Sequence, residues 1–150
     1  MEELVKLSKN TNNNIVFFAT HSNYMIDKGQ IDRCYKVIKN SNHITTFKKV
    51  GGTQSSYAEV NYEVFGIPTT DYHNELYGFL EDTSNSKLNS IQKDKKWINE
   101  LKNITEEVSL SKYVRHSIHH PENTSNKKFT DSELKKSIDI LQLLKYGKKG

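Results

Sequence analysis

The chain has 150 residues and a mass of 17.4 kDa, a length that favours one domain, or one domain with a small appendage, over two full-sized ones. Hydrophobic residues make up 34% and mean hydropathy is -0.77, yet aromatics reach 10% and apolar residues recur in ordered runs, which predicts a folded chain with a thin core rather than a disordered one. The net charge of +4 comes from twenty Lys and two Arg beside fifteen Asn, general Lys/Asn enrichment rather than a designed phosphate-binding face, and the longest apolar run, Ile15 to Ala19, falls far short of the roughly 20 residues of a bilayer span.

Cys34 is the single cysteine, so an intramolecular disulfide and a thiolate zinc site are both excluded. With no signal-peptide pattern at Met1-Glu-Glu-Leu4, the expected compartment is the cytoplasm and no membrane is expected as a partner.

In chain order, residues 2 to 9 form a short helical fragment that stops at the polar run Asn10 to Asn14. The continuous apolar run Ile15-Val-Phe-Phe-Ala19 predicts a strand buried on both faces of a sheet. Thr20-His21-Ser22 follow at its C-terminal end, where open α/β sheets place ligand-binding groups. Asn23 to Ile26 read as one helical loop, broken by Gly29. Alternation over Ile31 to Ile38 and an extended stretch over His43 to Val50, with Asn40-Ser-Asn42 between, predict a β-hairpin. Ser55 or Ser56 caps a helix that runs through Phe65 and ends at Gly66-Ile-Pro68. Thr69 or Thr70 caps another, with Tyr72, Leu76, Phe79 and Leu80 on one face.

Residues 82 to 90, polar and rich in turn formers, read as a linker between an α/β segment (1–81) and a helical region (91–150). In that region Leu88, Ile91, Ile98 and Leu101 mark a helix with Trp97 beside the seam. Thr105-Glu-Glu107 open a second, which carries Val108, Val114 and Ile118 and stops at Pro121. Thr130-Asp-Ser-Glu133 is a capping box, and Leu134, Ile138, Leu141, Leu144 and the stem of Lys145 define a last amphipathic helix.

Two constellations carry candidate chemistry. In Ala19-Thr-His-Ser22, a neutral imidazole at a strand end can accept a hydrogen bond from water or donate one to a phosphate oxygen, with the Thr20 and Ser22 hydroxyls beside it. In Tyr113-Val-Arg-His-Ser-Ile-His-His-Pro-Glu-Asn123, Arg115 and the histidines 116, 119 and 120 gather at a helix end. A guanidinium and an imidazole can together cleave RNA without metal. His116 and His120 at i, i+4 suit zinc, but neither a Cys nor a clear carboxylate completes a ligand set, so no metal is expected. Histidines in a last turn before Pro121 also read plainly as a helix stop. His73 and Glu75, two apart on a helix, face different ways and form no acid/base pair by themselves, although across a fold they could approach Arg115.

Asn14-Ile-Val-Phe-Phe-Ala-Thr-His-Ser22 followed by Ile31-Asp-Arg-Cys-Tyr-Lys-Val37 resembles the end of the ATPase core in bacterial AAA-type proteins of the ABC-like (OLD-like) branch, the switch-histidine loop. Ser55 to Tyr62 and Tyr72 to Gly78 resemble stretches downstream of it in some such ATPases, often of defence type, so the resemblance covers most of the chain. It implies a partial P-loop NTPase core, an α/β fold of strand, hairpin and helices ahead of an all-helical C-terminal region, with His21 sensing the γ-phosphate. Departures are as informative. No Gly-x-x-x-x-Gly-Lys-[Ser/Thr], no strand ending in Asp-Glu and no Leu-Ser-Gly-Gly occurs, so the α- and β-phosphates and Mg²⁺ have no cradle here. The resemblance therefore implies a C-terminal piece, truncated or split, partnered by a missing N-terminal ATPase portion or another subunit. ATP and Mg²⁺ would bind the complete ATPase alone. Separately, Arg115-His-Ser-Ile-His-His120 resembles the Arg-polar-x-x-x-His motif of HEPN endoribonucleases, which are all-α bundles. That likeness implies Arg115 and His120 as the catalytic pair, RNA as a partner, and a homodimer or other chain to complete the site.

Overall fold

The computed structural model describes residues 2–10, 14–51 and 56–147, and the chain divides into two compact units, Met1–Ile67 and Pro68–Gly150. Both mix helices with a two-stranded antiparallel sheet. The division falls at Ile67 rather than in the expected linker, because residues 82 to 89 continue a helix.

In the first unit, α1 (Glu2–Ser8) buries no side chain. Two short 3-10 turns (Asn23–Met25 and Lys28–Arg33, the latter running through Gly29) lead into a hairpin of β1 (Tyr35–Lys39) and β2 (Thr45–Lys49), as the alternation predicts. Its turn is built by Asn40, whose Oδ1 accepts from the backbone N–H groups of Asn42 and Ile44 at 3.0 and 2.9 Å, while His43 takes a positive φ of 61°. Helix α2 (Tyr57–Glu63) starts at Ser56, whose hydroxyl accepts from the Glu59 N–H, and its exit uses Gly66 at φ +72°, a conformation that Gly adopts without a Cβ penalty. Ile31, Val50 and Val60 form the buried centre, with Ile26, Cys34, Val64 and Phe65 packed around it. Burial raises the Cys34 thiol pKa, with Asp27 and Asp32 adding in the same direction, which suits a packing role.

The expected buried strand at Ile15–Ala19 does not form. Residues 14 to 20 belong to no helix or strand, and Ile15 and Phe17 are 79% and 88% exposed. A both-face-buried strand needs neighbours on its two edges and cover on its two faces, and none of the described strands pairs with this run.

The second unit has a fuller core. Helix α3 (Thr70–Asn89) is capped by Thr69 and continues past a kink at Ser84, where φ −154° and ψ 44° leave the helical region. Its inner face is Tyr72, His73, Leu76, Tyr77 and Leu80, and Phe79, expected inside, lies outside. Next comes a hairpin of β3 (Lys93–Asn99) and β4 (Ile104–Ser109) where two helices were expected, so the C-terminal region is not all-helical. Trp97 is buried against Val108 and Tyr113, whereas Leu101, assigned to a helical seam, sits in the turn at 98% exposure. Asn103 at φ +50° makes that turn, and Ile104, Thr105 and Val108 suit a pleated strand. Helix α4 (Leu110–His119) therefore begins after Ser109, whose hydroxyl accepts from the Lys112 N–H, rather than at Thr105. The Thr130/Glu133 capping box opens α5 (Asp131–Tyr146), which buries Leu134, Ile138 and Leu141. Among the described residues no helix is long and apolar enough to cross a membrane.

Candidate functional site

Thr20, His21 and Ser22 lie where the exposed apolar run leads into the first 3-10 segment. The Ser22 N–H donates to Thr20 Oγ1 at 2.9 Å, which closes a tight local turn and leaves the His21 side chain exposed. One residue on, Asn23 Nδ2 donates to Asn61 Oδ1 on α2 at 2.9 Å, so the loop is tied to the packed part of its unit. An exposed imidazole on a tethered turn can meet an incoming phosphate oxygen or water.

On α4 the candidate pair separates. Arg115 Nη1 donates to Asn74 Oδ1 at 2.8 Å, and its guanidinium lies 5.5 Å from the centre of the Tyr77 ring; both partners are on α3. Of the two residues that sequence reading considered near Arg115, His73 feels its charge, while the hydrogen bond itself is made by Asn74 between them. His116 stacks on Trp97 of β3 with centroids 5.1 Å apart, and His120 lies 6.4 Å from Trp97 and 6.2 Å from His116. His120 Nδ1 meets Glu122 Oε1 at 3.1 Å. Five residues turn a helix by about 140° beyond one full circuit. Arg115 accordingly faces α3 while His120 faces β3, and the two do not converge within one chain. Burial lowers the His116 pKa, with the Lys112 and His120 charges adding to it.

The motif ends α4 at His119, as its reading as a helix stop before Pro121 expects, and the loop after it has structural duties that sequence reasoning missed. Asn123 Nδ2 and Asn126 Nδ2 both donate to the Ile98 carbonyl at 2.9 Å, and the Ile98 N–H donates to Asn126 Oδ1 at 2.9 Å. The Tyr113 hydroxyl donates to the Lys127 carbonyl, and the Ser125 N–H to Glu100 Oε1 at 3.0 Å. These bonds lay the loop after His-His-Pro-Glu-Asn123 along the edge of β3. The only sequence signal for this was the density of Asn after Pro121.

A second missed feature is a buried polar chain. His73 Nε2 lies 2.9 Å from Ser137 Oγ, and that hydroxyl donates to Ser111 Oγ at 3.0 Å, all three side chains being inaccessible. With the Ser137 hydroxyl donating to Ser111, the matching tautomer has His73 Nε2–H donating to Ser137 Oγ; Nδ1 is buried without a hydrogen bond. Burial pushes the His73 pKa down to about 4, and the Arg115 charge acts in the same direction. Sealed from solvent, the hydroxyls serve the packing of α3, α4 and α5 and are not reachable nucleophiles. A cleft of 380 Å³ in this unit is lined by Tyr77, Lys93, Glu106 and Lys112 among others, and neither Arg115 nor His120 lines it. Among the described residues no group of three or more His, Cys, Asp or Glu is placed to hold a metal ion.

Comparison of the chain with protein-family models, with curated proteins and with solved structures finds no match.

Proposed function

We propose that this chain acts as a non-autonomous portion of an ABC-like AAA-type ATPase, in which His21 is the residue turned toward the γ-phosphate. The observation that supports this reading is the run immediately before it. Five consecutive apolar residues stand largely in water, Phe17 and Ile15 above all, and none of the described strands pairs with them. Such a segment gains burial and backbone hydrogen bonds when it enters the sheet of a partner. His21 would then emerge at the strand's end beside whatever that sheet binds.

ATP and Mg²⁺ fit the residues present only in part. The exposed His21 imidazole and Ser22 hydroxyl can contact a terminal phosphate, whereas the chain supplies neither a glycine-rich cradle nor a paired carboxylate for the metal. At the phosphate His21 would hold a proton at one ring nitrogen and donate it in a hydrogen bond, or accept one from water, and the bond from Ser22 N–H to Thr20 Oγ1 would keep the turn in shape.

The test is co-expression with a Walker A- and Walker B-bearing polypeptide encoded in frame or adjacent upstream. The expected result is a complex that hydrolyses ATP, with turnover reduced at least tenfold by His21→Ala while ATP binding persists. Absence of such a reading frame, or unchanged turnover in the variant, would refute the assignment.

A further inference from the structure

We propose that one face of the β1–β2 hairpin is a platform for single-stranded nucleic acid, on which Tyr35 and Phe47 stack bases and Lys39 and Lys49 hold phosphates. In the antiparallel register Tyr35 pairs with Lys49, Val37 with Phe47, and Lys39 with Thr45, and directly opposed residues share a face. That face therefore carries two aromatic rings around Val37, with a lysine at each end. It is uncovered: Tyr35 is 59% and Phe47 72% exposed, and Val37 is exposed as well.

Charge identifies the occupant. From Tyr35 to Val50 there are four lysines and no carboxylate. On the opposite face Lys36 stands directly across from Lys48, a like-charge pairing that costs stability unless an anion lies nearby. Apolar patches that await protein partners are usually depleted in Lys at their centre, whereas aromatic rings interleaved with lysines on an open sheet suit bases and phosphates together. Stacking tolerates any base, so no edge-reading side chain is required. An anionic membrane is the less suited occupant. A hairpin that enters a bilayer presents its apolar residues at the tip, and the tip here is Asn40-Ser41-Asn42. The twenty lysines of the chain as a whole gave no such indication; the register, which puts Lys39 and Lys49 on the face of two exposed rings and Lys36 and Lys48 on the other, does.

The site is independent of the ATPase reading, since it needs neither nucleotide nor His21. Fluorescence anisotropy of labelled oligouridine and oligothymidine of about 12 nucleotides, titrated with the full chain, tests it. Binding is expected for either sugar, weakening steeply between roughly 50 and 200 mM salt. Phe47→Ala and Tyr35→Ala should each weaken it by about fivefold or more, and Lys39→Glu with Lys49→Glu by more than about tenfold. These side chains lie at the surface, so far-UV circular dichroism should confirm that the variants fold. Lys135→Glu with Lys136→Glu, exposed on α5, makes the same change in net charge and should leave affinity within about twofold. The proposal is overturned if neither oligonucleotide binds, if the α5 control loses as much as the hairpin variant, or if the aromatic variants bind like the parent. It is equally overturned if duplex DNA binds as tightly as the single strands. Capture by phosphatidylserine vesicles that depends on Phe47, without oligonucleotide binding, would assign the face to membranes instead.

Discussion

Acidification should destabilise the second unit through His73. The folded chain holds this imidazole neutral down to about pH 4, against an ordinary value of 6.5. Between those values the unfolded chain binds a proton that the folded chain does not, so stability falls as pH drops through 6.5 and the loss is complete below 4. At 1.36 kcal/mol per unit, the full difference is about 3 kcal/mol, of which about 2 kcal/mol is lost between pH 7 and pH 5. Urea unfolding followed by Trp97 fluorescence and far-UV circular dichroism would measure it, since Trp97 is the single tryptophan and is buried in this unit. His116 shifts in the same direction, so the diagnostic quantity is the difference between the parent and His73→Gln, which keeps an N–H for Ser137 but cannot be protonated. The variant should lose most of the pH slope over this window. A parent whose unfolding free energy is flat from pH 7 to 5, or a variant with the parent's slope, would show that His73 is not held neutral by burial.

Removing the side chain that closes the second sheet, Trp97→Ala, should cost about 3–5 kcal/mol, read as a fall in the urea midpoint. Thr130→Ala breaks the capping box of α5 and should lower stability by about 1 kcal/mol, with the thermal midpoint falling by a few degrees. The isolated chain should show no ATP binding by calorimetry. It should also leave RNA intact in EDTA, because Arg115 and His120 carry contacts on different sides of α4; cleavage abolished by Arg115→Ala would instead revive the HEPN-type reading.

Capping chemistry was the most legible part of the chain. Ser56, Thr69 and Thr130 each accept the hydrogen bond expected of an N-cap, because that interaction involves residues only three apart. The first hairpin was readable for the same reason, through Asn40 and the alternation on both sides of it. What misled was the segment from Leu88 to Val108. Its apolar residues fit a helical spacing, but Trp97 and Val108 are brought together across a hairpin, and Asn103 was a turn former in plain view. The run Ser84 to Asn89 erred the other way: its polarity suggested a linker, yet it continues α3 and returns Leu88 to the interior. For the candidate sites, local pattern located His21 and the Arg115 helix but could not foresee which neighbour each side chain faces. Asn74 beneath Arg115 and Ser137 beneath His73 are 41 and 64 residues away in sequence, beyond any periodicity.

The loop after α4 has a consequence for how this protein behaves at high concentration. In an antiparallel pair only alternate residues turn their N–H and C=O outward, and on β3 Ile98 does so. Both of those groups are taken by one side-chain amide, so Asn126 stands in for a single residue of a third strand. A passing chain seeking to extend the sheet meets a rung that is already occupied. Because Asn123 also donates to the Ile98 carbonyl, replacing both Asn123 and Asn126 by Ala would expose the whole rung and open a site for self-association, detectable as concentration-dependent light scattering.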